Sequence, residues 1–312
     1  MMKTKECIKN AYMYNGFVYN ILHPFKRVYD LFRHHTISDK RFLERKFLKL
    51  KGYPLNLNNP TTINEKIQWL KLYDRKDWYT DCVDKYKVRE YVKKKIGEEY
   101  LIPLVFQTKN VRDLCAENMP DYPVIIKTNH NSGSYWIIKD KDKEDWKRIR
   151  CYFNYYLHQN FFWANREWPY KNVERRIIVE KLMIDECGKF LTDIKFHCFH
   201  GKAEVIFYSQ MGEDGQKKYA ACNRNLIPLG KEYTWGYNKE KFIPNPCKPA
   251  NFEKMLEIAE VLSQDFIHMR VDLYDFKNTI YFGELTFYDG GGFQKITPEE
   301  WDKELGDKIV LN

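Results

Sequence analysis

Apolar and polar positions recur along this chain with two different periods, and the places where the period changes mark its elements. Ile67, Leu70 and Leu72 follow Thr62 and Glu65, which stand at the separation of a capping box and predict a helix start. The turn-rich NLNNPTTINEK around them reads as a boundary. A second helix is predicted from about Val83 to Lys95, stopped at Gly97. YLIPLVF and YPVIIK are predicted strands with the helix-like NVRDLCAENM between them. NHNSGS is then a loop, SYWIIK a returning strand, residues 142–159 a helix and ERRIIVEKLMI a buried strand. FLTDIKFHCFHGKAEVIFYSQ folds into a hairpin at His200-Gly201, and a helix over residues 255–262 leads into a last hairpin, RVDLYDFKNTIYFGELTFYDGGG. Short antiparallel strands with interspersed helices predict an α+β fold rather than a doubly wound sheet. Neither a dinucleotide-binding GxGxxG nor a Walker A sequence occurs.

Composition narrows the class. A chain of 312 residues, 44% hydrophobic, is long enough for two lobes. With 30% charged residues and no apolar run near the roughly 20 residues needed to span a bilayer, it reads as soluble. The N-terminus has no apolar signal core, so a cytoplasmic protein is expected. Eight scattered cysteines without CxxC spacing fit reduced thiols. His197, Cys198 and His200 are the nearest approach to a metal motif, but successive strand residues face opposite sides, so a strand end entering a turn is the better reading.

Charge is unevenly placed. Of the net +9, residues 1–51 supply +8, with twelve Lys and Arg against four Asp and Glu. Tyr12, Tyr14, Phe17, Tyr19, Phe25, Tyr29 and Phe32 interleave with those cations. Such a segment suits amphipathic helices docked on the body with a solvated basic face, or peripheral contact with an anionic membrane. Nucleic acid is not the expected partner.

The last hairpin carries the sharpest chemistry. Alternation puts Arg270 and Asp272 on one face, and Glu284 and Thr286 on the face that meets it. A three-residue turn over Lys277, Asn278 and Thr279 sets Asp272 opposite Glu284, and a two-residue turn sets them on a diagonal. Like charges so placed destabilise a ribbon unless something compensates. Two carboxylates about 5 Å apart can hold Mg²⁺ with water and phosphate oxygens, and a structural ion pair of Arg270 with one acid serves equally well.

Upstream, Lys127 ends an apolar strand before Ser132-Gly133-Ser134, where small residues let backbone N–H groups approach phosphate oxygens. Glu180 and Lys181 then interrupt the run RIIVEKLM where the strand leaves the core. In this order the sequence resembles the ATP-grasp superfamily, and in particular its TupA-like branch, associated with teichuronopeptide and other surface-polysaccharide biosynthesis. DKYKVREYV, IIKTNHNSGS, REWPYKNVERRIIVEK, DIKFHCFHGK, RVDLY and YFGELTFYDGGGF carry the resemblance over roughly residues 55–305.

The resemblance implies an α+β, ATP-grasp-like fold with ATP and Mg²⁺ held between two lobes. A basic helical segment (1–54) and an α/β portion (55–119) would precede a small lobe with the phosphate loop (120–185) and a large lobe with the metal-binding hairpin (186–312). Lys85 and Lys127 would bind phosphates, Asn131, Ser132, Gly133 and Ser134 would form the loop over them, and Glu180, Lys181 and Leu182 would contact adenine. Asp272 and Glu284 would bind Mg²⁺, with Arg270 and Lys127 catalytic. The chain departs from the family at Thr286, where many relatives carry Asn, and in a less glycine-rich loop.

That points to an ATP-dependent carboxylate–amine ligase working through an acyl phosphate on a uronate or peptidyl carboxylate of a surface-glycan precursor. Arg166, Trp168 and Lys171 are candidates for the acceptor site, and Gly291, in a three-glycine run, for close backbone approach to substrate or for a plain turn. The rival readings are a kinase-like phosphotransferase of the same fold and a glycosyltransferase using Asp140-Lys141-Asp142 as a DxD, although that triplet sits in a charged run that reads as solvated surface.

Overall fold

The computed structural model describes residues 7, 10–184, 193–211, 216–276 and 279–311, with backbone alone at 31 and 33–35. In chain order the first elements are α1 (Gly16–His35), α2 (Asp39–Lys51), α3 (Ile63–Tyr73), α4 (Tyr79–Val83), α5 (Val88–Lys95), β1 (Leu104–Thr108), β2 (Val124–Thr128), β3 (Tyr135–Ile138), α6 (Trp146–Leu157), α7 (Phe162–Asn165) and β4 (Ile177–Lys181). There follow β5 (Asp193–Phe199), β6 (Lys202–Met211), β7 (Lys217–Asn223), β8 (Thr234–Trp235), α8 (Phe252–Ser263), β9 (His268–Phe276), β10 (Thr279–Thr286), β11 (Ile296–Thr297) and α9 (Glu299–Asp307). These form two compact units: residues 1–42, 84–86 and 103–182, and residues 43–83, 87–102 and 183–312.

The first unit is an antiparallel sheet in the order β1-β4-β2-β3. Val124 and Ile126 on β2 and Ile177 and Val179 on β4 turn one face inward, and Ile149 and Phe153 of α6 cover it. Met13 joins this core, and the Tyr14 ring stacks on Tyr152 with centroids 6.0 Å apart.

The second unit is built on the antiparallel sheet β10-β9-β5-β6-β7, with the small ribbon β11-β8 beside it. Alternation along β5 and β9 sends Phe196, Met269, Val271 and Leu273 into a dry core, where Phe252 of α8 meets Phe196. The opposite face takes the polar residues of the same strands, and the candidate chemistry sits there.

The capping box at Thr62 is present: Thr62 accepts from the Glu65 N–H, and the Glu65 carboxylate accepts from the Thr62 N–H. The hairpin turn at His200-Gly201 is also present, both residues having positive φ. Three predicted helices are shorter than the periodicity suggests. The Val83–Lys95 helix begins only at Val88, because Asp84 and Lys85 are captured by Asn129: its side chain donates to Asp84, and its carbonyl accepts from the Lys85 N–H. NVRDLCAENM forms two isolated 3₁₀ turns, and the helix predicted over 142–159 covers Trp146–Leu157. Cys187, Lys277 and Asn278 lie outside the described residues.

Candidate active site

In the first unit, β2 and β4 set Lys127 and Glu180 on adjacent strands, and Lys127 Nζ donates to Glu180 Oε2 at 2.9 Å. Lys85 Nζ donates to the Asn131 carbonyl at 2.7 Å. The loop between β2 and β3 is therefore anchored from below. Asn129, His130, Asn131 and Ser134 are buried, with Asn131 Oδ1 accepting from Thr128 at 2.8 Å and from Ser134. Only the tip, Ser132 and Gly133, stands in solvent. Gly133 has φ +81°, a left-handed conformation that a Cβ disfavours.

His130 locks the base of this loop through Nε2 and the Tyr156 carbonyl, 3.1 Å apart, and burial pushes its pKa down to about 4. At the end of β4, the N–H groups of Lys181 and Leu182 are taken by the carbonyls of Pro103 and Pro123, each at 3.0 Å. A base meeting this edge therefore faces carbonyls and the Glu180 carboxylate rather than those N–H donors.

The second unit holds the denser cluster. Strands β9 and β10 pair two-to-two from Phe276↔Thr279 to Leu273↔Phe282, and a bulge at Gly283 then shifts the register so that Asp272 faces Glu284. The pairing on the hairpin's stem alone would have set Asp272 opposite Gly283 and left Glu284 on the other face of the ribbon. A Cβ on Gly283 would lie 2.9 Å from the Asp272 carbonyl oxygen and 2.9 Å from Tyr274, which is why a glycine makes the bulge.

Arg270 compensates the facing acids. Its Nε and Nη2 donate to Asp272 at 2.7 and 2.8 Å, Nη2 reaches Glu284 at 2.7 Å and Nη1 reaches Asp289 at 2.6 Å. Burial opposes the guanidinium charge, but Asp272, Asp289 and Glu284 hold its pKa well above the arginine value. The ion pair and the facing carboxylates are thus one network.

Sequence reasoning missed Lys195, because one lysine on an alternating strand carries no signal of its own. On β5 it stands opposite Asp272 and donates to it at 2.8 Å, and it also pairs with Asp193. Burial works against its charge, yet the Asp272 and Asp193 carboxylates raise its pKa above the lysine value. Asp193 would be raised by burial, but Lys195 and Lys217 pull it well below the carboxylate range.

Four carboxylates, Asp193, Asp272, Glu284 and Asp289, therefore surround the buried Arg270 and the half-buried Lys195, with Lys217 also on Asp193. The surplus negative charge suits a divalent cation. Asp272 is sealed in and its oxygens are engaged by Arg270 and Lys195, whereas the Glu284 side chain is 40% exposed. Thr286 donates to Glu284 Oε1 at 3.2 Å, so it orients that acid. Among the described residues no group of three ligating side chains forms. The residues fit Mg²⁺, which binds through one or two carboxylates and takes its other oxygens from water and phosphate.

The acceptor candidates fare differently. Arg166 is buried with φ 56°, 3.3 Å from Asp39 and packed over Phe42 and Trp163 at 4.6 and 4.4 Å. At 1% exposure it is a core cation, not a surface clamp for a substrate carboxylate. Lys171 is exposed and lies over the half-buried Trp168, 5.0 Å from its centroid. Gly290, Gly291 and Gly292 all have positive φ, and the carbonyls of Gly291 and Gly292 accept from the buried Gln68 and Lys71. That run is the turn that closes β10 onto α3. Asp140 caps a short 3₁₀ turn that contains Asp142, accepting from the Asp142 N–H and pairing with Lys143. His197 is buried beside Trp235, 3.6 Å from Asp289, and burial holds it neutral.

No curated protein matches the chain in sequence. Among solved structures it is similar to D-alanine–D-alanine ligase from Bacillus anthracis complexed with ATP (15% identity, TM-score 0.40, 73% of this chain and 63% of that one). It is also similar to the D-alanine–D-alanine ligase of Helicobacter pylori (12%, TM-score 0.44, 80% and 67%) and to the ATP-grasp ligase PsnB with a precursor variant, Mg and ADP (8%, TM-score 0.42, 79% and 65%). The chain thus spans less than two thirds of the Bacillus and PsnB chains. The family model described as TupA-like ATPgrasp matches residues 65–310, well over half of the sequence, and the chain belongs to that family.

Proposed function

We propose that this protein is an ATP- and Mg²⁺-dependent ligase that joins a carboxylate to an amine through an acyl phosphate. The observation that carries the reading is the cluster on β5, β9 and β10: Asp272 and Glu284 facing each other, with the buried Arg270 and the half-buried Lys195 held among acids. When bound, Mg²⁺ supplies charge neutralisation for the phosphates and for the transferred phosphoryl group. Glu284, the exposed acid, and Asp272 hold the metal, and Thr286 keeps Glu284 in place.

Bringing an anionic carboxylate to an anionic phosphate is the electrostatic problem to solve. Arg270 and Lys195 supply positive charge that needs no reorganisation, since both are already fixed by hydrogen bonds. In the first unit, Lys85 and Lys127 hold phosphates, residues 131–134 cover them, and Glu180 with the 181–182 backbone meets the adenine. The Ser132-Gly133 tip, exposed above a buried base, supports that assignment.

The substrate is a uronate or peptidyl carboxylate of a cell-surface polysaccharide precursor, with Lys171 and Trp168 on the acceptor side. This part of the reading rests on the family. The enzyme works in the cytoplasm, in peripheral contact with an anionic membrane through residues 1–51.

ATP turnover against candidate uronates and amino compounds, with hydroxylamine present, tests the proposal. Hydroxamate formation that requires Mg²⁺ and is lost in Glu284→Gln is expected. ADP formed with the phosphoryl group retained on the co-substrate and no hydroxamate would replace ligation by kinase-like transfer, and absence of MgATP binding would remove the nucleotide reading.

A further inference from the structure

Helix α1 has two apolar faces, and the fold uses only one. On the inner face, Tyr12, just before the helix, and Tyr19 are buried. Tyr19 stacks on His23 at 4.6 Å, Tyr12 meets Tyr155 edge-on at 5.4 Å, and His23 meets His158 at 5.1 Å. These contacts hold α1 on α6 and the residues after it.

The other face is open. Phe17, Ile21, Phe25, Val28 and Phe32 recur every three or four residues, so they share one side of the helix. Phe17, Phe25 and Phe32 are 74%, 74% and 70% exposed. At about 100° per residue this stripe points away from the Tyr19 and His23 side. Isolated exposed apolar residues are ordinary, but a continuous apolar row along about 22 Å of helix is an interaction surface.

Charge decides the occupant. Arg27 borders the stripe, Lys26 lies nearer the inner face and pairs with Asp30, and residues 1–42, all in the first unit, carry a net +5. Phenylalanines inserted from a basic helix match an anionic bilayer surface, where rings enter the acyl boundary and cations meet headgroups. A second copy of this positive segment would bring like charges together. No helix among the described residues is long and apolar enough to cross a membrane, so α1 would lie along the surface.

We infer that the Phe17–Phe25–Phe32 stripe of α1 is a membrane-docking face selective for anionic lipid, fixed rigidly to the first unit by its inner aromatic face. This specifies the membrane component of the functional reading and is independent of its catalytic part.

Co-sedimentation of the full chain with phosphatidylcholine vesicles, with and without phosphatidylserine, tests it. Wild-type protein should partition onto the anionic vesicles and come off as salt rises. The Phe17→Ser, Phe25→Ser, Phe32→Ser triple variant should bind about a hundredfold less. Arg27→Glu should bind about tenfold less. Because the stripe is solvent-facing, circular dichroism and any ATP turnover in solution should be unchanged in the triple variant. Unaltered vesicle binding by the triple variant, no preference for phosphatidylserine, or a wild-type dimer that the triple variant dissolves would each overturn the inference. No ATP turnover by wild-type protein that does bind anionic vesicles would count against the ligase reading alone.

Discussion

Glu284 stands opposite Asp272 because Gly283 bulges out of β10 and shifts the register. The stem register would have put them on opposite faces of the ribbon, and the bulge brings them onto one face as a facing pair. Bulges recur where a strand must re-aim a side chain, and here the side chain is the exposed acid of a charged network.

Gly283→Ala should therefore damage both stability and the site. The added Cβ meets a backbone oxygen and a packed ring, and overpacking of that kind costs about 1–3 kcal/mol. Urea unfolding should show the loss, and MgATP turnover should fall further than stability alone explains. Wild-type behaviour in both measurements would mean that the bulge has no role.

Asp272 and Glu284 should separate by exposure. Asp272→Ala takes from the buried Arg270 the carboxylate it holds with two hydrogen bonds, and breaking a buried pair costs about 3–5 kcal/mol. Glu284→Gln keeps most of the network and should cost under about 1 kcal/mol, while lowering MgATP turnover at least about a hundredfold. Thermal melts beside turnover assays would show this split, and equal stability losses would contradict it.

Arg166 and Lys171 make the next contrast. Arg166→Ala removes a buried cation stacked between Phe42 and Trp163 and should cost about 3 kcal/mol. Lys171→Ala, on the surface, should change stability by less than about 0.5 kcal/mol. A substrate effect, measured as a rise in KM, is expected only for Lys171.

The first unit should weaken in acid. His130 titrates near 4 when folded and near the ordinary histidine value of about 6.5 when unfolded. Its neutral form is the one the fold accepts, so stability is complete above about pH 6.5 and is lost as pH falls towards 4. At about pH 5 the loss from this one group is about 2 kcal/mol. His268, lowered to about 4 by burial, adds the same trend in the second unit. Urea titrations at neutral and acidic pH should show this dependence, and His130→Asn should flatten it for the first unit.

Much of the candidate chemistry was legible along the chain because it follows local rules. Arg270 and Asp272 share a strand face by alternation, and the start of α3 is marked by its capping box. Asp193 and Asp289 were as silent as Lys195: Asp193 and Lys195 share a face of β5, but the Asp272 and Arg270 that draw all three residues into one cluster come from β9. Arg166 showed the opposite problem. Its sequence neighbours suggest a surface loop, yet Asp39 and Phe42, more than a hundred positions away, enclose it.

The order of elements, the α+β class, the basic aromatic N-terminus and the motif series were determined by the sequence itself, because spacing, propensity and charge are properties of neighbours. Only tertiary structure decided that a bulge brings Glu284 to Asp272, that Lys195 completes the charge balance, that Arg166 is core and that α1 keeps an aromatic stripe in solvent. Each of these depends on which distant surface covers a residue. Burial and pairing across a sheet are set by contacts between strands and helices, and local pattern does not specify them.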